Sequence, residues 1–249
     1  AFFRKYRDKI ASYFDLYFVN YCLRSIKKNK LDISFIFLNG FAHVQHHYLL
    51  DSEFHDGENP DWYSNKNIDS IHRSLIIYDK LFDKVLKNCG KDYEIWIVTA
   101  LTQTPVKEPI FYWRFKNHKD FINNFINYDC NINPRMTRDF EIVCRNNQDK
   151  KKIVTFLKDS YVLENKKKVK AFRHIDTKYD KRIFTSFTYS GDIKKAKFVY
   201  KNKSILLKNQ LDFVAIKNGK HLSKGWVFSN SKTKIPKKIK LWNIPKYLN

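Results

Sequence analysis

The sequence predicts an α/β protein: a mostly parallel sheet flanked by helices, with a small basic β-rich insertion. Two observations carry this expectation. Residues 32–39 (DISFIFLN) and 93–101 (YEIWIVTAL) are short, nearly continuous apolar runs, the kind made by strands covered on both faces. Each follows a helical stretch, so the order helix, strand, loop, helix, strand has the rhythm of parallel units. A chain of 249 residues, 43% hydrophobic, is long enough to bury a sizeable core.

The elements follow in order. Residues 4–30 place Ile10, Phe14, Phe18, Tyr21 and Ile26 at helical spacings, and the basic run at their end suits a helix C-terminus, so they predict an amphipathic helix. The first strand comes next. It puts His43 just past its C-terminal end, the edge at which open α/β sheets bind ligands. Residues 55–67, rich in Asp, Asn, Gly and Ser with Pro60, read as a surface loop. Residues 70–90 predict a helix with Ile71, Leu75, Tyr78, Leu81, Phe82, Val85 and Leu86 on one stripe and Gly90 as its cap.

After the second strand, residues 109–125 are aromatic-rich and then helical, 135–144 read as a strand and 148–160 as a helix. Basic runs at 150–152 and 166–168 alternate with strand-like stretches at 182–189 and 196–207, which predict hairpins. Residues 211–228 close the domain, and a surface tail begins at Ser229. The expected division is therefore 1–149 as the sheet-and-helix portion, 150–210 as the basic insertion and 211–249 as the closing strand, loop and tail, within one domain overall. Ala1 opens the chain without a methionine or a leader-like stretch, so the chain reads as cut from something longer.

The net charge of +23 invites a nucleic-acid reading. Lys outnumbers Arg 38 to 10, however, and Asn, Ile, Phe and Tyr are also abundant, as an AT-rich coding sequence would make them. Arg, the side chain of bidentate phosphate and guanine contacts, is not enriched. Residues 1–149 hold 21 basic and 19 acidic side chains and residues 150–249 hold 27 and 6, so the excess belongs to the C-terminal part. No aromatic residues interleave the runs at Lys150 and Lys166, and nucleic acid ranks last among the expected partners. The apolar run at 33–38 falls far short of the roughly 20 residues that cross a bilayer. Cys22, Cys89, Cys130 and Cys144 are scattered, which predicts reduced buried thiols and a cytoplasmic setting.

Chemistry-bearing residues concentrate in three places. His43, His46 and His47, with His55 and His72 nearby, crowd one stretch of a chain with eight histidines, and His43 shares a helical face with both His46 and His47. The acidic residue of a zinc-protease H-E-x-x-H arrangement is missing, Gln45 standing nearest to that place. Arg135 and Arg138 lie three apart in an Arg-poor chain and could hold phosphate or carboxylate; salt bridges to Asp139 or Glu141 are the plain alternative. Lys217, Asn218 and His221 follow an apolar strand in a glycine-flanked loop. No G-x-S-x-G elbow, phosphate-binding G-x-x-x-x-G-K-[ST] loop or G-x-G-x-x-G is present.

Taken in order, these blocks resemble the C-terminal portion of the alkaline phosphatase superfamily, nearest to its type I phosphodiesterase and nucleotide pyrophosphatase branch. There a buried strand ends in an Asp-x-x-x-His metal motif; here NGFAH occupies that place, with Asn39 at the Asp and His43 at the His. The helix carrying YDKLFDKVL resembles the family's D-x-x-L-x-x-L helix, and IWIVTALTQ stands where members read a strand and Ser-Asp-His-Gly, with Ala100 and Leu101 replacing Asp and His. The loop KNGKHLSKGW resembles the one that brings a late metal-binding His, matched by His221. The resemblance implies an alkaline phosphatase-like sheet and a hydrolase or transferase acting on a phosphate or related ester. It also implies a divalent metal, zinc or manganese, near His43 and His221, with His46 and His47 as substitutes. Asn39, Arg135, Arg138, Lys217 and Asn218 become anion or substrate contacts, and the expected ligand is a small anionic ester or a phosphorylated glycan or lipid. The strand and nucleophile that precede these blocks in the family are not in this chain, and neutral groups replace three ligands. A member that binds an anionic glycan, a lipid head group or a protein partner without turnover is the alternative.

Overall fold

The computed structural model describes residues 2–65, 67–176 and 181–248. They form two compact units, the first made of Ala1–Pro109 with Asn218–Asn249 and the second of Ile110–Lys217. The β-rich unit thus begins well before residue 150, and the C-terminal stretch belongs with the N-terminal helices.

In the first unit, α1 (Phe2–Asn29) and α3 (Ser70–Cys89) pack together and α2 (Gly40–Tyr48) lies against both. The α3 helix is capped as expected: Asp69 accepts from the His72 amide at 2.8 Å, and the Gly90 amide closes the helix on the Leu86 carbonyl. Its buried side runs through Ile71, Ser74, Ile77 and Leu81, whereas Leu75 and Leu86 of the expected stripe are exposed. The α1 helix departs further from its expected stripe. Its buried apolar side chains are Val19, Leu23 and Ile26, whereas Ile10, Phe14, Phe18 and Tyr21 of the expected stripe are exposed.

The buried face of α1 also carries Asp8, Ser12 and Asp15, each with a partner. Ser12 bonds Ser74 at 2.6 Å, and Asp8 accepts from the Ser70 hydroxyl at 3.1 Å. Asp15 accepts from the Gly40 amide at 2.6 Å and from the Tyr78 hydroxyl, which itself accepts from the Phe41 amide at 2.9 Å. The N-terminus of α2 is therefore capped by a carboxylate from α1, an anion where orphan amides point. Burial, and then the bond to Asp15, raise the Tyr78 hydroxyl well above the ordinary phenol range. Gly40 is required here, because a Cβ would meet the Ala11 carbonyl at 2.5 Å. Asp15→Ala is expected to cost about 3 kcal/mol, since it leaves the buried Gly40 amide and the half-buried Tyr78 hydroxyl without this acceptor. Urea unfolding measures this, and a cost under about 1 kcal/mol would contradict it.

The mostly parallel sheet predicted from the sequence is not present. The chain is 35% helix and 30% strand, and its sheets are small and antiparallel. Residues 32–39 form no strand; Ile36 and Leu38 pack on the cluster around Val19, Leu23 and Leu81, and Ile33, Phe35 and Phe37 face outward. The second expected strand is real but short. Here β1 (Trp96–Thr99) pairs antiparallel with β12 (Trp226–Ser229), far along the chain, and only part of it is covered. A hydrophobic run records that side chains are apolar and says nothing of which strand they pair with, so the alternation of helices and apolar runs was mistaken for parallel crossovers.

The chain passes into the second unit along β2 (Thr102–Phe115) and returns along its partner β11 (Leu211–Leu222). Between them come α4 (His118–Asn123), β3 (Cys130–Pro134), β4 (Asp139–Cys144), α5 (Asn147–Asp159), β5 (Tyr161–Glu164), β6 (Lys167–Lys170), β7 (Phe172–Asp176), β8 (Arg182–Phe187), β9 (Lys197–Tyr200) and β10 (Lys203–Leu206). Two four-stranded sheets result, ordered β3-β4-β8-β7 and β10-β9-β5-β6. Asn165 and Lys166, both at positive φ, form the two-residue turn between β5 and β6. The core is aromatic: Phe115, Phe121, Phe140, Phe156, Phe172 and Phe198 are buried and in mutual ring contact.

Four reduced thiols were expected, yet Cys130 and Cys144 are joined by a disulfide. They stand directly opposite each other in the β3–β4 register. That pairing depends on the hairpin, so the spacing of cysteines along the chain could not reveal it.

Candidate functional site: a histidine cluster on the first unit

His43 lies inside α2, not at a strand end. The Asn39 carbonyl accepts from the His43 amide at 3.0 Å, and the Asn39 side chain, at the N-cap position, makes no capping bond. On α2, His43 and His47 face each other with ring centroids 4.5 Å apart. His46 meets His221 of β11 at 4.7 Å, edge to face. Tyr63 extends the first pair, its hydroxyl 3.1 Å from His47 Nδ1, and stacks on Tyr48. The structure therefore joins the two histidine groups singled out in the sequence, from opposite ends of the chain.

What holds β11 against α2 is a buried pair of amides. Asn218 is fully buried; its Oδ1 accepts from the Leu50 amide at 3.1 Å and from Asn59 Nδ2 at 2.8 Å, and its own Nδ2 donates to Asn59 Oδ1 at 2.8 Å. Asp51 fixes Asn59 in turn, accepting from its backbone and side-chain amides at 2.8 Å each. Asn218 thus positions the strand and spends its amide inside the protein. Beside it, Gly219 leaves room for Gln103, whose Nε2 donates to the Ala42 carbonyl at 3.0 Å. The Gln103 Oε1 is buried and has no hydrogen-bond partner among the described residues. Tyr63, Asn59 and Gln103 escaped the sequence reading because no motif or spacing links them to the histidines.

The other expected anion contacts lie in the second unit. Arg135 donates to Glu141 at 2.6 Å, so its guanidinium and that of Arg182 hold the Glu141 carboxyl below its ordinary range. Arg138 lies 4.1 Å from the centroid of the Tyr112 ring. Lys217 is half-buried at the last position of the unit.

The residues present do not fit a metal ion. Among the described residues, no group of three or more His, Cys, Asp or Glu side chains could hold one. The clustered donors are imidazoles packed edge to face. What imidazoles can do is give and take protons. No described helix is long and apolar enough to cross a membrane.

Fold and site together define a two-unit mixed α and β protein with a histidine cluster spanning a helix and a returning strand. No family model, curated protein or solved structure matches the chain.

Proposed function

We propose that the protein is a hydrolase or transferase acting on a phosphate or related anionic ester, with the histidine cluster as its proton-transfer machinery. The observation that carries this reading is the contact of His46 with His221, 4.7 Å between rings, beside the His43–His47 pair. In hydrolysis, one imidazole takes a proton from the attacking water and another gives one to the leaving oxygen, so ester and water depart as phosphate and alcohol.

Turnover of p-nitrophenyl phosphate and of its bis-ester is the test. His46→Ala and His221→Ala are each expected to lower kcat by about 100-fold or more, with the double variant little worse than either single one. Wild-type turnover no faster than buffer, or turnover indifferent to both substitutions, sinks the catalytic reading.

Neutral Asn39, Ala100 and Leu101 at the positions where the resembled family carries metal ligands favour a second reading, binding of an anionic glycan, lipid head group or protein partner without turnover. In that case calorimetric titration with inorganic phosphate registers binding that His221→Ala weakens, while no ester is cleaved.

A further inference from the structure

The outward side of α1 has the chemistry of a membrane-contact surface. At roughly 100° per residue, Val19, Leu23 and Ile26 fall on the side turned toward α3, and Ile10, Phe14, Tyr17 and Tyr21 fall opposite them. A helix that is apolar on both sides expects cover on both. This one is covered on one side only: Tyr17 is 73% exposed and Phe14 and Tyr21 66% each. With an aromatic side chain at roughly 200 Å², the exposed parts of Tyr13, Phe14, Tyr17, Phe18 and Tyr21 amount to about 600 Å², before Ile10 is added. That is the upper end of the largest apolar patch carried by a typical monomer.

Charge selects the occupant. The acidic residues of α1 are Asp8 and Asp15, and both are turned inward and hydrogen-bonded. The exposed charges at its C-terminal end are Arg24, Lys27 and Lys28, of which Arg24 and Lys28 continue the aromatic stripe. We propose that α1 docks on an anionic phospholipid surface, lying in the plane of the interface. The aromatic stripe sits at the level where head groups meet acyl chains, and the cations meet the lipid phosphates. The stripe is convex and directed away from the helical core, a shape suited to a plane. A second copy of α1 presents no exposed acidic side chain to Arg24 and Lys28.

Co-sedimentation with phosphatidylcholine vesicles, with and without phosphatidylserine, tests the proposal on the full chain. Phe14→Asp/Tyr17→Asp and Lys168→Gln/Lys170→Gln each lower the net charge by two, the second pair on the exposed β6 strand. Both are expected to leave far-UV circular dichroism unchanged. The first pair is expected to lower partitioning onto phosphatidylserine vesicles at least about tenfold, and the second to change it less than about threefold. Equal losses overturn the proposal, because net charge alone would then explain binding. A lipid-free dimer that Phe14→Asp/Tyr17→Asp dissociates also overturns it and assigns the stripe to a second copy. No wild-type binding overturns it as well.

Discussion

Acidification from pH 6.5 to 4 is expected to remove up to about 3 kcal/mol of stability from the second unit through one residue, His118, and His118→Phe is expected to abolish that loss. The side chain is 5% exposed, between Phe115 at 5.5 Å and Phe140 at 4.8 Å between ring centroids, and its Nε2 has no hydrogen-bond partner among the described residues. Burial, and then the nearby Arg114, lower its pKa from 6.5 to about 4. The sign follows from proton counting. The unfolded chain binds a proton near pH 6.5 that the folded chain refuses until about pH 4, so the stabilisation is complete above 6.5 and is lost as the pH falls through that window. Phe has nearly the same shape, suits an aromatic core and binds no proton. Urea unfolding of wild type and His118→Phe across this range decides the matter; parallel pH profiles would mean that His118 is not the acid-sensitive group.

The second large effect is expected at Asn218. Asn218→Ala removes three buried hydrogen bonds and takes away the partners of the Leu50 amide and of Asn59 Oδ1, at a cost of about 3 kcal/mol or more. His221 lies three residues further along the same strand, so loosening β11 also takes His221 away from His46. Ester turnover or phosphate binding should then fall although no atom of the histidine cluster has changed. A double-mutant cycle with Asn59→Ala is expected to give a coupling of about 1–3 kcal/mol, and strict additivity would refute the amide pairing as the fastener.

Local signals in the sequence were legible and pairing was not. The caps of α3 and the alternation of the basic hairpins could be read directly, whereas the buried side of α3 runs through Ile77 and leaves Leu75 and Leu86 outside. The run at 32–39 has the composition of a strand but makes no ladder, and β1 finds its partner in β12 only after more than a hundred intervening residues. Composition is a property of one segment, whereas a sheet is a relation between two. The same distinction separates the two halves of the site. The histidines announced themselves by crowding, although the glycine-flanked stretch around His221 that reads as a loop is the end of strand β11. The Asn59–Asn218 pair did not, because an asparagine in a loop looks identical whether it is solvated or buried against another. On α1 the trouble was an excess of signal, since apolar residues on every side left the periodicity unable to say which side is the core.

The excursion through β2 and β11 has a consequence for the order of events on the ribosome. The whole of Ile110–Lys217 is synthesised before β12 and His221 exist, so the second unit can mature while the first still lacks its last strand. Paired β2 and β11 then deliver the returning chain beside the place it left, which shortens the effective loop that β1 and β12 must close. Until that closure, a nascent chain carries three histidines on a finished helix and no fourth. Any activity of the cluster waits for the strand that carries His221.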